Sequence, residues 1–209
     1  MEPSTTQDRH FFIKALKIAA TLKPVIDHAE DISLEAMNAK SIVARAGDHA
    51  RAIRPITDRM DELSKNIIEL IKQIRSESMN VCRDSISDFT EEVAASHLQR
   101  GRTIGRNSKF ISDLDTKISL TAARLRELRI RTQDHVLKLS LLLEDIESSL
   151  LATTVIIAKF RLEAGVSGSE FRPHFETLVQ KFENSVTQSR ASVLGSKKTL
   201  AECRRTIKR

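Results

Sequence analysis

Met37-Asn38-Ala39-Lys40-Ser41-Ile42-Val43-Ala44-Arg45-Ala46-Gly47, followed by Ile53-Arg54-Pro55, is the stretch on which the fold turns. A second stretch, Val155 to Leu162-Glu163-Ala164-Gly165 followed by Phe171-Arg172-Pro173, aligns with it without a gap, Gly47 on Gly165 and Pro55 on Pro173. A periodic apolar run, a Gly break and a Pro just inside the next run spell helix, turn, helix. The repetition predicts two helical hairpins in tandem.

Upstream of Gly47, Phe11, Ala15, Ile18, Leu22, Val25, Ala29, Ile32, Ala36, Ala39, Val43 and Ala46 follow alternating spacings of four and three. That is a heptad seam, which no strand produces. Its alanines predict close helix approach. Pro24 lies inside the pattern and predicts a kink or a break. Past Pro55, the second helix carries Ile56, Met60, Leu63, Ile67, Leu70 and Ile74. Its seam then slips at Glu77 and resumes with Cys82, Ile86, Phe89 and Val93, which reads as a stutter. Gly101, Gly105 and Asn107 mark the next turn. A third helix, from about Ser108 to Ala164, holds Val136, Leu139, Leu143, Ile146, Leu150, Thr153, Ile157 and Phe160 in register. The fourth holds Val179, Phe182, Val186, Val193, Leu200, Cys203 and Ile207, with Ser189 and Ser196 diluting the seam.

Short turns make successive helices antiparallel neighbours. The expected fold is all-α: one elongated antiparallel four-helix bundle over residues 1–209, made of two tandem hairpins. The first spans 8–101 with its tip near 47–54, the second 107–209 with its tip near 165–172. Both tips should share one end, with the middle helices overhanging the outer ones.

Composition fits. The 209 residues include six Gly, four Pro and no Trp or Tyr, and 30% are charged. Thirty-four basic against 28 acidic residues give a net charge of +6, too mixed for a polybasic surface. The clusters at Arg100-Gly101-Arg102, Arg124 to Arg131, Arg204-Arg205 and Lys208-Arg209 lack interleaved aromatics, so nucleic acid is not the expected partner. Arg124, Arg126, Arg129 and Arg131 fan around a helix and read as a solvated face. Cys82 and Cys203 have no metal spacing and fit a reduced, cytoplasmic chain. No apolar run approaches the ~18 residues of a membrane span, and the first residues lack a secretory pattern.

No enzyme motif is present. G-x-S-x-G, the P-loop and G-x-G-x-x-G are absent. No two of the six histidines stand three or four residues apart, so the helical metal pair is missing and neither metal nor cofactor is expected. His28 with Glu30-Asp31 reads as surface polarity and His135, beside Val136, as a satisfied core histidine. Glu144, Asp145 and Glu147 read as a solvated patch, since an acid/base pair needs a cleft.

Leu34, Ala36, Asn38, Ala39, Ala44, Arg45, Ala46, Gly47, Arg51 and Leu63, with Met37, Asp48 and Ile53 as conservative replacements, form the pattern L-x-A-L/M-N-A…A-R-A-G. This unit of about thirty residues resembles the signalling hairpin of bacterial methyl-accepting chemotaxis receptors. There a dimer packs two hairpins into a four-helix bundle whose tip contacts a histidine kinase and a coupling protein. The resemblance implies a non-enzymatic signalling or adaptor protein acting by protein–protein contact at the Gly47 tip, with Leu34, Met37, Asn38, Arg45 and Asp48 as partner-binding residues. Chemotaxis receptors, the kinase or the coupling protein are the implied partners. The second copy is degenerate, with Glu163 opposite Arg45 and Ser169 opposite Arg51. The family's methylation sites, Glu pairs between small residues, make Glu91 and Glu92 candidate modification sites. Ile42 and Arg59 replace acidic residues of the family's tip and favour the alternative: a structural coiled-coil module that self-associates as a homo-oligomer, without kinase coupling.

Overall fold

A computed structural model describes residues 5–107, 109–166 and 170–207. All regular structure among them is helical: α1 (Thr5–Thr21), α2 (Lys23–Ala46), a 3-10 turn (Gly47–Ile53), α3 (Arg54–Ile104), α4 (Ile111–Val166) and α5 (Arg172–Ile207). Pro24 produces a break rather than a kink. It stands in the first turn of α2, where its missing N–H costs nothing, and Leu22 is the hinge between α1 and α2. Pro55 and Pro173 open α3 and α5 in the same way.

The chain divides into two compact units. Unit 2 comprises Ala19–Arg75 and Ser140–Lys198; unit 1 comprises Met1–Ile18, Ser76–Leu139 and Thr199–Arg209.

In unit 2 four helices close a ring, and a polar contact marks each seam between neighbours. Ser33 donates to Asp61 at 2.7 Å and Lys40 pairs with Asp58 at 2.9 Å between α2 and α3. Asn66 donates to Ser149 at 3.2 Å between α3 and α4. Arg161 pairs with Glu183 at 2.6 Å, and Lys197 with Glu147, between α4 and α5. Lys181 with Glu35 joins α5 to α2. Residue numbers rise on one helix as they fall on its neighbour, so α2/α3 and α4/α5 are antiparallel. The Asn66–Ser149 contact, carried along the two helices, sets Arg54 level with Arg161. Both tips therefore lie at the same end of unit 2.

The α2 seam is buried as its periodicity predicts, from Val25 through Ala29, Ile32, Ala36, Ala39 and Val43 to Ala46. Small residues there leave room for Phe160, Phe175 and Phe182, all fully enclosed. Phe160 meets each of the other two edge-on at a centroid distance of 5.8 Å, the favoured geometry for aromatic pairs.

Three expectations need correction. The α3 seam does not stutter at Glu77. It runs without interruption through Met60, Ser64, Ile67, Ile71, Ile74, Ser78, Val81 and Ser85, all buried, with Ile71 rather than Leu70 at the core. The serines hid the register. Ser64 and Ser85 bond the carbonyls of Met60 and Val81, one turn back, at 2.9 and 2.8 Å, so their hydroxyls are satisfied inside the helix. Gly101 is helical, because α3 continues to Ile104 and Leu114 of α4 packs 3.8 Å from where a Gly101 Cβ would stand. Finally, Gly47 and Gly165 are not equivalent. Gly47 has φ 57° and its amide donates to the Val43 carbonyl, whereas Gly165 lies inside α4. The rest of the second tip, 167–169, is outside the described residues.

In unit 1, Val81, Cys82, Val136, Leu139, Leu200 and Cys203 are buried. Between residues 86 and 127 only Thr121 is buried among the described residues. Four ion pairs link α3 and α4 in this unit: Arg131–Asp84 at 2.7 Å, Arg129–Glu92 at 2.6 Å, Arg124–Glu91 at 3.6 Å and Arg102–Asp115 at 2.6 Å. The arginine fan is exposed as expected, and Arg124, Arg129 and Arg131 are in addition ion-paired across to α3.

Two stability predictions follow from this packing. Phe160→Ala empties a site ringed by two phenylalanines and should cost about 3–5 kcal/mol. Ser196, fully buried, has a hydroxyl without a hydrogen-bond partner, so Ser196→Ala should raise stability by about 1 kcal/mol. Urea unfolding of the two variants beside the parent checks both.

Candidate functional site

The turn at Gly47 follows from backbone sterics. A left-handed φ suits glycine alone at low cost, and the Gly47 N–H donates to the Val43 carbonyl, one of the carbonyls of the last turn that need a partner. α2 reaches this turn with its apolar seam inward, which turns the opposite face outward. On that face stand Leu34, Met37, Asn38 and Arg45, together with Ser41, all exposed. Their spacings place them within about one-third of the helix circumference. Leu34 and Met37 are 55% and 53% exposed, so apolar area is offered beside an amide and a guanidinium. The Asp48 backbone lies in the 3-10 turn; its side chain is outside the described residues.

The edge of this face is fixed electrostatically. Glu35 accepts from Asn38 at 3.2 Å and from Lys181 on α5. Burial acts to raise its pKa, but the hydrogen bonds from Lys181 and Asn38 prevail and hold it below the usual carboxylate value. Beside it, a shallow groove of about 390 Å³ runs between α2 and α5, lined in part by His28, Asp31, Leu34, Glu35 and Gln188. On the other side, Asp61 accepts from Lys65 at 2.9 Å and from Ser33 at 2.7 Å. These bonds hold its carboxyl below its ordinary value, and Lys40, bonded to Asp58, is raised.

Ile42 is half-buried, and Arg59 is exposed and paired with Glu62 on its own helix at 2.5 Å. Glu91 and Glu92 belong to unit 1, where they are engaged by Arg124 and Arg129. Any modification of these carboxylates has to break those ion pairs first.

Sequence reasoning missed a polar cluster in unit 1. His135 Nδ1 lies 2.5 Å from Glu77, its Nε2 lies 3.7 Å from Asp84, and Asp84 accepts from Arg131 at 2.7 Å. The signal was available: Glu77 sits where the α3 seam seemed to slip. Among the described residues no group of three His, Cys, Asp or Glu side chains could hold a metal ion. No helix of the described chain is long and apolar enough to cross a membrane. Burial pushes both thiols up, Cys203 to about 11, so neither is an activated nucleophile at neutral pH.

Comparison with protein-family models, with curated proteins and with solved structures finds no match.

The depressed carboxyl of Asp61 gives a pH prediction. A folded-state pKa below 3.8 contributes stability that is fully present above that value and is lost as pH falls through and below it. Acid should therefore weaken the α2–α3 seam. Asp61→Asn should flatten the decline in unfolding free energy below about pH 5, measured as urea midpoints across pH. An unchanged slope would show that the Ser33 and Lys65 contacts are not formed.

Proposed function

We propose that this chain is a signalling or adaptor protein, related to chemotaxis receptor tips, that works by protein–protein contact at the Gly47 end of α2. The observation that carries the reading is the coincidence of two features. The residues of the receptor-like pattern that are not needed for packing, Leu34, Met37, Asn38 and Arg45, share one exposed helix face. Those that are needed, Ala36, Ala39, Ala46 and Gly47, form the seam and the turn beneath it. A face with two exposed apolar side chains, an amide and a fixed positive charge suits a helical partner with an apolar stripe and a carboxylate. Receptors, a histidine kinase or its coupling protein in a bacterial cytoplasm are partners of that kind.

A second reading keeps the coiled coil and gives up kinase coupling. The half-buried Ile42 and the exposed Arg59–Glu62 pair favour it, because one substituted position is drawn into the chain's own packing and the other carries a positive charge already matched on its own helix.

Titrating the purified chain into coupling protein and kinase, by calorimetry, tests the first reading. Binding should be weakened at least about tenfold by Arg45→Glu, a factor expected for reversing one interfacial charge, with unfolding midpoints unchanged. No binding to either protein contradicts it. Coupling that appears only in the Ile42→Glu, Arg59→Glu double variant selects the second reading.

A further inference from the structure

α4 carries two heptad seams, back to back. The inner one, Leu143, Ile146, Leu150, Thr153, Ile157, Phe160 and Ala164, is buried in unit 2. The outer one runs Leu141, Glu144, Ser148, Leu151, Val155, Ala158 and Leu162, with the same alternation of three and four, and every member is exposed. Leu141, Leu151, Val155 and Leu162 are 51–74% exposed. Elsewhere in unit 2, among the described residues, the exposed large hydrophobics are Val166 at the end of the same helix, Leu34, Met37 and Leu194. A helix that is apolar on opposite faces is normally covered on both. The ring of α2, α3, α4 and α5 covers only one.

Two charges say what covers the other. Glu144, within the outer seam, and Lys159, beside it, stand at equal distances from its midpoint, between Leu151 and Ala152. Both are exposed, and neither is ion-paired among the described residues. A two-fold axis through that midpoint sets each Glu144 against the Lys159 of another copy. The same operation lays Leu141 on Leu162 and Ser148 on Val155. A parallel pair would instead put Glu144 on Glu144, which repels. The seam is therefore self-complementary in one orientation, as an isologous interface requires. Its size sets the strength. Leu141 to Leu162 is about 30 Å long and one helix, about 10–12 Å, wide. That is roughly 300–400 Å² a side, less than the ~800 Å² a side of a stable interface, and fits only a weak, concentration-dependent dimer of a chain that already closes its own core.

We propose that the outer seam of α4 docks a second copy of this chain, the two α4 helices packing antiparallel about an axis between Leu151 and Ala152. This stands apart from the tip reading and uses a different helix face.

Sedimentation velocity on the full chain, from about one to several hundred micromolar, tests it. The expected result is a monomer–dimer equilibrium with no higher species. Leu151→Glu, at an exposed position, should abolish the dimer across that range while leaving the unfolding midpoint of the monomer unchanged. Glu144→Lys and Lys159→Glu should each weaken dimerisation by at least about tenfold, and the double exchange should restore it. A monomer at every concentration overturns the proposal. So does a dimer indifferent to Leu151→Glu, which would place the contact on another face, such as Leu34 and Met37. Failure of the double exchange to restore a dimer weakened by both single changes overturns the antiparallel register.

Discussion

Unit 2 is organised by the fit of three phenylalanines against a helix whose inward face is largely alanine. Ala29, Ala36, Ala39 and Ala46 alternate with Val25, Ile32 and Val43 on α2. The contact of Glu35 with Lys181 sets Phe182 level with position 34 of α2, between the inward-facing Ile32 and Ala36. Small side chains on one helix and large ones on two others fill a four-helix core without voids only in one register, since a shift of one turn would set large on large or small on small. The edge-on contacts of Phe160 with Phe175 and Phe182 then fix α4 against α5. Polar contacts at the four seams add orientation more than energy, because most of them lie at the surface, where ion pairs are worth little.

The tip depends on that register. Only when α2 turns its alanine seam inward do Leu34, Met37, Asn38 and Arg45 face out together, and only then does Gly47 reach the place where its left-handed φ reverses the chain. The two Gly-centred repeats have diverged in physical role. Gly47 makes a turn, while Gly165 is an ordinary helical residue close to one. The first tip is thus the better-defined surface, in line with the degenerate second copy.

Much of the fold was legible because heptad spacing is a local signal. The α2 seam and the α5 seam from Val179 to Cys203, including the diluting Ser189 and Ser196, are buried as written, and the Ile207 side chain lies outside the described residues. The failures share a cause. Ser64, Ser78 and Ser85 looked polar, yet all three are buried in the seam: the hydroxyls of Ser64 and Ser85 bond the preceding turn, while that of Ser78 is enclosed without a hydrogen-bond partner, so an intact register was misread as a stutter. The arginines of α4 are exposed as expected, but their ion pairs were not legible because the carboxylate partners, Asp84, Glu91 and Glu92, lie on another helix. The outer seam of α4 is masked in the sequence by Glu144 and Ser148, which interrupt its apolar run. The candidate face on α2 was legible only through family resemblance. Nothing in composition distinguishes Asn38 and Arg45 from other exposed residues.

The central claim is that one chain folds back on itself so that α2 and α5 run antiparallel with both tips at one end of unit 2. Spin-label distances on exposed sites measure this directly. Labels at Ala44→Cys and Glu176→Cys should lie within about 20 Å, and labels at Ala44→Cys and Lys198→Cys should be separated by roughly 33 Å or more, at about 1.5 Å per residue along α5. The reverse order, with Lys198 nearer than Glu176, would contradict the account.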